Sequence, residues 1–200
     1  MLNLDAYAGI IFDMDGTLVD SVGGHLDAWQ QVCGRFGLHF DGDFIHALSG
    51  MPSWGIAEKM LARDAVDHCP RAIAEAKYQA WLALDHHPDL IDPTYRVFQH
   101  YEGRVPIAVG TGAIRPCAEL ILARVGVLDR LSALVTSSDV ARGKPDGETF
   151  HSAAVTMGVE PRRCVVFEDT QVGVDAAHDA AMDCYWVGPA GLEFRPRPGH

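Results

Sequence analysis

Short apolar runs alternate with helical stripes along most of this chain, and its conspicuous polar residues fall where the runs stop. Gly9-Ile10-Ile11-Phe12 is an unbroken apolar run that ends in Asp13-Met14-Asp15-Gly16-Thr17-Leu18. It predicts a buried strand that runs out into two carboxylates and a glycine turn. Val22, Leu26, Trp29, Cys33 and Phe36 then recur at helical spacing and predict a helix stopped by Gly37. From there to about Leu84 the pattern is helical only. Pro52 opens a segment carrying Ile56, Met60 and Leu61, and Pro70 opens another carrying Ile73, Trp81 and Leu84; both prolines suit a first helical turn.

Beyond this insertion the order becomes strand then helix, repeated. Pro106-Ile107-Ala108-Val109 leads to Thr111 and a helix from about Pro116 to Val125, and Ala133-Leu134-Val135 leads to the Lys144 loop and a helix from about Glu148 to Met157. Cys164-Val165-Val166-Phe167 leads to Glu168-Asp169 and a helix to about Ala181, and Cys184-Tyr185-Trp186-Val187 gives the last strand. The tail from Gly188 has little periodicity and reads as a surface extension. Such alternation predicts an α/β fold, a Rossmann-like parallel sheet with helices on both faces, which binds ligands at the carboxyl ends of its strands. The expected division is a core domain of residues 1–18 and 86–200, with linker helices and an α-helical cap in 19–85.

A chain of 200 residues, 48% hydrophobic and of mean hydropathy +0.02, is an ordinary globule. Its net charge of -11 argues against nucleic acid or an anionic membrane as partner. An acidic protein that handles an anion must gather positive charge locally, which Lys144 and a divalent metal would do. No apolar stretch reaches the ~18 residues of a membrane span, and no secretion signal opens the chain, so the expected location is cytoplasmic. The five cysteines lack a C-x-x-C pair and read as reduced, buried thiols.

Asp13, Thr111, Lys144 and Asp169 each follow a strand, and their grouping points to one phosphate site. The residues Phe12-Asp13-Met14-Asp15-Gly16-Thr17-Leu18-Val19-Asp20-Ser21, Val109-Gly110-Thr111-Gly112, Gly143-Lys144-Pro145-Asp146 and Val166-Phe167-Glu168-Asp169-Thr170, with Gly173 and Ala176-Ala177 behind them, resemble the haloacid dehalogenase superfamily. The likeness covers nearly the whole chain. It is to the β-phosphoglucomutase-like, helical-cap subgroup, and within it to the small fructose-1-phosphatase-like sugar phosphatases.

The resemblance implies a Mg²⁺-dependent phosphatase acting through an aspartyl-phosphate, with a β-phosphoglucomutase-like isomerase and a non-enzymatic phosphometabolite sensor as alternatives. Asp13 would be nucleophile and metal ligand, Asp169 a second ligand, and the Asp15 backbone carbonyl a third. Glu168 would bind the metal through water or hold one of its waters. Asp15 would be general acid and base, which requires a carboxyl protonated part of the time near neutrality, and burial is expected to raise its pKa. Thr111, on a turn with Gly112, would donate to the phosphate, and Lys144 would supply a compact positive charge to a phosphate oxygen or to the nucleophile.

The insertion would close over the substrate. Lys77 lies on the apolar stripe of its helix and either snorkels at the edge or points into the site. His25 is a site residue or a packing one. Gly50 would allow close approach, and Trp54 would stack on the sugar or pack within the cap. Ser53 stands where mutases of this subgroup carry an arginine for a distal phosphate. Gly23-Gly24 suggests a flexible linker, and His39, His46, His86 and His87 read as solvated. The implied partner is a small phosphorylated metabolite, with the protein a monomer or weak homodimer.

Overall fold

The computed structural model describes residues 2–199. The strands are β1 (Gly9–Phe12), β2 (Ile107–Gly110), β3 (Ala133–Val135), β4 (Cys164–Glu168), β5 (Asp183–Gly188) and β6 (Gly191–Arg195), in one sheet of order β3-β2-β1-β4-β5-β6. The first five are parallel. β6 returns antiparallel along β5, so the tail after Gly188 adds an edge strand where a surface extension was expected. Its first two-residue turn is too short, and its apolar content too slight, for periodicity to have flagged it.

Strand alternation sends β1 to two cores. Ile10 and Phe12 join Val109, Val165 and Phe167 beneath α5 (Asp92–Tyr101) and α6 (Arg115–Arg124), which contribute Val97, Phe98, Ile121 and Leu122. Ile11 points the other way, to Phe150 and Ala153 of α7 (Glu148–Thr156) and Val174 and Ala177 of α8 (Gln171–Asp179). Each of these large apolar side chains contributes roughly 1.5–3 kcal/mol on full burial. β1 lies between β2 and β4 with Phe12 opposite both Val109 and Phe167. That register delivers Asp13, Thr111 and Glu168-Asp169 to one edge.

Between β1 and β2 the chain inserts α1 (Val22–Phe36), α2 (Gly42–Ala47), α3 (Ser53–Asp64) and α4 (Pro70–Ala83). Trp29, Val32, Ile45, Ile56, Met60 and Ile73 form an apolar cluster among these helices. α1 stops at Gly37, whose φ of 67° suits glycine. Pro70 sits in the first turn of α4, whereas Pro52 is the residue before α3. The two connections run side by side: Asp20 N–H donates to Asp89 O at 2.9 Å and Ile91 N–H to Leu18 O at 3.0 Å.

Several expectations need correction. α2 and α5 were not anticipated; α2 has only six residues, held by an Asp41 side-chain cap on Phe44 N–H. Cys69, the residue before α4, is exposed, while the other four cysteines are buried; all five are free. Gly24 lies inside α1, and a Cβ there would come within 2.9 Å of the His86 ring. The glycine pair thus includes a packing position, and His86 is half-buried beneath it. No helix among the described residues is long and apolar enough to cross a membrane.

Candidate active site

Asp13, Glu168 and Asp169 bring carboxylate oxygens within 4.8 Å of one another at the carboxyl ends of β1 and β4. The Lys144 ammonium, wholly enclosed, donates to Asp13 Oδ1 at 2.5 Å and to Glu168 Oε1 at 2.9 Å. Glu168 Oε2 accepts from Thr170 N–H at 2.6 Å and from its hydroxyl at 2.9 Å. Asp169 Oδ1 accepts from the Thr17 hydroxyl at 2.9 Å. Two glycines make room for these carboxylates. A Cβ on Gly173 would lie 1.7 Å from Glu168 Oε1, and one on Gly16, at φ +84°, 2.3 Å from Asp169 Oδ2.

Three carboxylates face one ammonium here, so the cluster carries surplus negative charge. Burial and then Glu168 push the Asp169 carboxyl up to about 7. Burial also raises Asp13 well above the usual carboxylate range; Lys144 opposes this, and Glu168, Asp169 and Asp15 add to it. Burial alone would lower Lys144, but Asp13 and Glu168 outweigh it and hold the lysine protonated. A cage of hard oxygen donors short of positive charge suits a divalent ion such as Mg²⁺.

Thr111 is buried, its N–H donates to Val135 O at 2.9 Å, and its Oγ1 accepts from Ala113 N–H at 3.0 Å. The hydroxyl proton is thereby free to point at a ligand.

Asp15 belongs to a second chain of contacts. Its Oδ1 accepts from the Ser21 hydroxyl and lies 3.0 Å from His25 Nε2, while Lys77 Nζ lies 2.7 Å from His25 Nδ1. The ammonium must donate to Nδ1, so the ring presents Nε2–H to Asp15. Of the alternatives for Lys77, the structure places its ammonium inside the cavity. The expected rise of the Asp15 pKa is not what this arrangement produces. Burial does push it up, but the His25 contact, the Ser21 hydroxyl and the Lys77 charge together hold the carboxyl below its ordinary value.

The turn between α2 and α3 sits directly on this chemistry. Gly50, at φ +91°, would with a Cβ come within 3.0 Å of Thr170 Oγ1 and 3.7 Å of Lys144 Cδ. A Cβ on Gly112 would lie 2.4 Å from Gly50 O, and one on Gly143 2.3 Å from Pro52 Cγ. Two core glycines thus form the seat of the inserted turn. Gly143→Ala should force the turn back by over about 1 Å and lower kcat/KM by ~10–100-fold, with the melting temperature of the free protein held; steady-state kinetics beside a thermal melt would check this.

Below the turn lies a cavity lined by Asp13, Asp15, His25, Trp54, Lys77 and Thr111, among others, including Gly50, Gly112 and Ser53. Trp54 lines it and also lies beneath the Arg71 guanidinium, so it both packs and faces the space. Thr17, Ser21 and Thr170 received no role from the sequence, although all three stand inside the quoted motifs. A hydroxyl within two to six residues of a motif carboxylate was the available signal.

Residues 7–181 match the haloacid dehalogenase-like hydrolase family, and the chain belongs to it. It is an enzyme of the hydrolase class. It is 41% identical to the fructose-1-phosphate phosphatase YqaB of Escherichia coli (strain K12) over 90% of this chain and 95% of that protein. It is 33% identical to validoxylamine A 7'-phosphate phosphatase of Streptomyces hygroscopicus subsp. limoneus over 89% and 84%. A crystal structure of β-phosphoglucomutase from Clostridium difficile shares the fold at TM-score 0.81, with 22% identity over 91% and 85%.

Proposed function

We propose that the chain is a Mg²⁺-dependent phosphatase of small sugar phosphates, of the fructose 1-phosphate kind, working through an aspartyl-phosphate. The observation that carries this reading is Lys144 bound between Asp13 and Glu168 beside Asp169. The two phosphatase relatives, each matching along most of its length, support the substrate class.

Asp13, Asp169 and the Asp15 carbonyl would hold the ion, with Glu168 fixing one of its waters. When bound, Mg²⁺ neutralises the phosphate oxygens and so permits attack by an anion. Asp13 attacks phosphorus and the sugar oxygen departs; water then hydrolyses the acyl-phosphate. Lys144 and the Thr111 hydroxyl hold the transferring group against Asp13. Asp15, kept ionised by His25 and Ser21, suits the base step that activates water. For the earlier acid step one proton moves along the chain: Lys77 gives it to His25 Nδ1 as Nε2–H passes to Asp15 and on to the leaving oxygen. Residues 19–85 act as the cap, whose seated turn excludes water from the reaction.

Metal affinity should depend on pH. Asp169, at about 7, carries a proton in more acid solution, and that proton must leave before the ion binds. The Mg²⁺ concentration for half-maximal activity is therefore expected to rise by up to about 10-fold per pH unit below neutrality and to level off above it. Titrations of activity with Mg²⁺ across that range would check the slope, and a flat profile would contradict it. A metal-dependent screen of phosphorylated metabolites, ranked by kcat/KM with free phosphate as readout, tests the activity itself. Isomerised sugar phosphate without free phosphate would overturn the hydrolytic reading.

A further inference from the structure

The cavity has a polar end that the reaction chemistry leaves unused. Arg71, Glu75, Tyr78 and Trp81 follow one another at helical spacing on α4, and all four line it. A rise of about 1.5 Å per residue sets Arg71 roughly 9 Å along the axis from Lys77, so the two cations serve opposite ends. Lys77 is buried beside His25, and Arg71 is exposed at the mouth.

The Arg71 guanidinium lies over the Trp54 ring at 5.4 Å from its centroid and has no hydrogen bond or ion pair among the described residues. Arg63, Arg115 and Arg130, by contrast, are each paired with a carboxylate. An arginine set over a ring but left without an acceptor is a fork of donors open to a ligand. Glu75, one turn on, supplies an acceptor, oriented by Gln79 Nε2 at 2.8 Å. The rim therefore offers donors, an acceptor and a flat apolar face. Those are the needs of a carbon chain bearing hydroxyls. A second anion would find the Glu75 carboxylate on the same helical face as the guanidinium.

Resting on the phosphatase reading, we propose that Arg71 and Glu75 form a distal subsite for the uncharged, hydroxyl-bearing end of the substrate. Arg71 donates to its hydroxyl oxygens, Glu75 accepts from them, and Trp54 covers the carbon face. The subsite favours sugar monophosphates of about five or six carbons over three-carbon phosphates and over bisphosphates, because shorter esters leave the fork unfilled.

The test compares the full-length wild type, Arg71→Ala and Glu75→Gln, with Mg²⁺, on fructose 1-phosphate, glycerol phosphate and a hexose bisphosphate. Arg71→Ala should raise KM for fructose 1-phosphate by ~10–100-fold with kcat within about 3-fold, and leave glycerol phosphate unchanged. Glu75→Gln should move KM in the same direction by less. Equal losses on the two monophosphates, or none on either, would overturn the subsite. So would a wild-type preference for the bisphosphate that Arg71→Ala abolishes, since the fork would then be an anion site. A wild type that releases phosphate from none of the three esters overturns the phosphatase reading and this subsite with it.

Discussion

Asp13→Asn is expected to lower Mg²⁺-dependent phosphate release by at least ~10⁴-fold, because an amide cannot attack phosphorus as a carboxylate does. The same change removes one negative charge from a cluster that has too many. Asp13 is pushed well above the usual carboxylate range chiefly by burial, with Glu168, Asp169 and Asp15 adding to it. The metal-free variant should therefore melt no lower than wild type, with Lys144 still held by Glu168 at 2.9 Å. Activity and stability would part company, as expected where a site is built for function at a cost to folding. Phosphate release measured beside a thermal melt checks both halves, and a variant that fails only because it unfolds would defeat the catalytic explanation.

Lys144→Met should have the second large effect, and on both quantities. Methionine fills similar space but leaves Asp13, Glu168 and Asp169 with no ammonium among them. Breaking a buried pair of this kind costs about 3–5 kcal/mol, seen as a loss of unfolding free energy in urea. The sign with pH follows from the carboxylates. Their repulsion is complete when all are ionised and fades as they take up protons, so the deficit should be largest in alkaline solution. It should shrink as pH falls toward the wild-type Asp169 value of about 7, because losing Lys144, which lowers that carboxyl, leaves it titrating higher in the variant. Mg²⁺ should restore part of the stability without restoring turnover, since the phosphate would still lack its cation. A deficit that grew on acidification would show that Lys144 does not balance these carboxylates.

The fold was legible wherever an apolar run ended in a polar signature. β1 with Asp13, β2 with Thr111 and β4 with Asp169 were each marked by hydrophobic continuity followed by small or acidic residues, and their parallel register brings those ends together. β6 was not legible, because it is stabilised by pairing with β5 and by Phe194 against Tyr185 rather than by any pattern of its own. α5 did carry a signal that was left unread: Thr94, Val97, Phe98 and Tyr101 recur at helical spacing behind Pro93, which sits in its first turn. The state of Asp15 was out of reach for a different reason. Burial alone pointed upward, and the opposing effect comes from His25 and Lys77, ten and sixty-two residues away in sequence. The glycines of the seat could be seen but not interpreted, since nothing local says that Gly143 faces Pro52.

The account stands on Asp13 forming a covalent bond to phosphorus. The most direct test is the stereochemical course at phosphorus, read from a chiral thiophosphate monoester hydrolysed by the Mg²⁺-loaded enzyme in isotopically labelled water. Two successive in-line displacements, first by Asp13 and then by water, predict net retention of configuration. Net inversion would mean that water attacks the substrate directly, and Asp13 would then have no part as nucleophile.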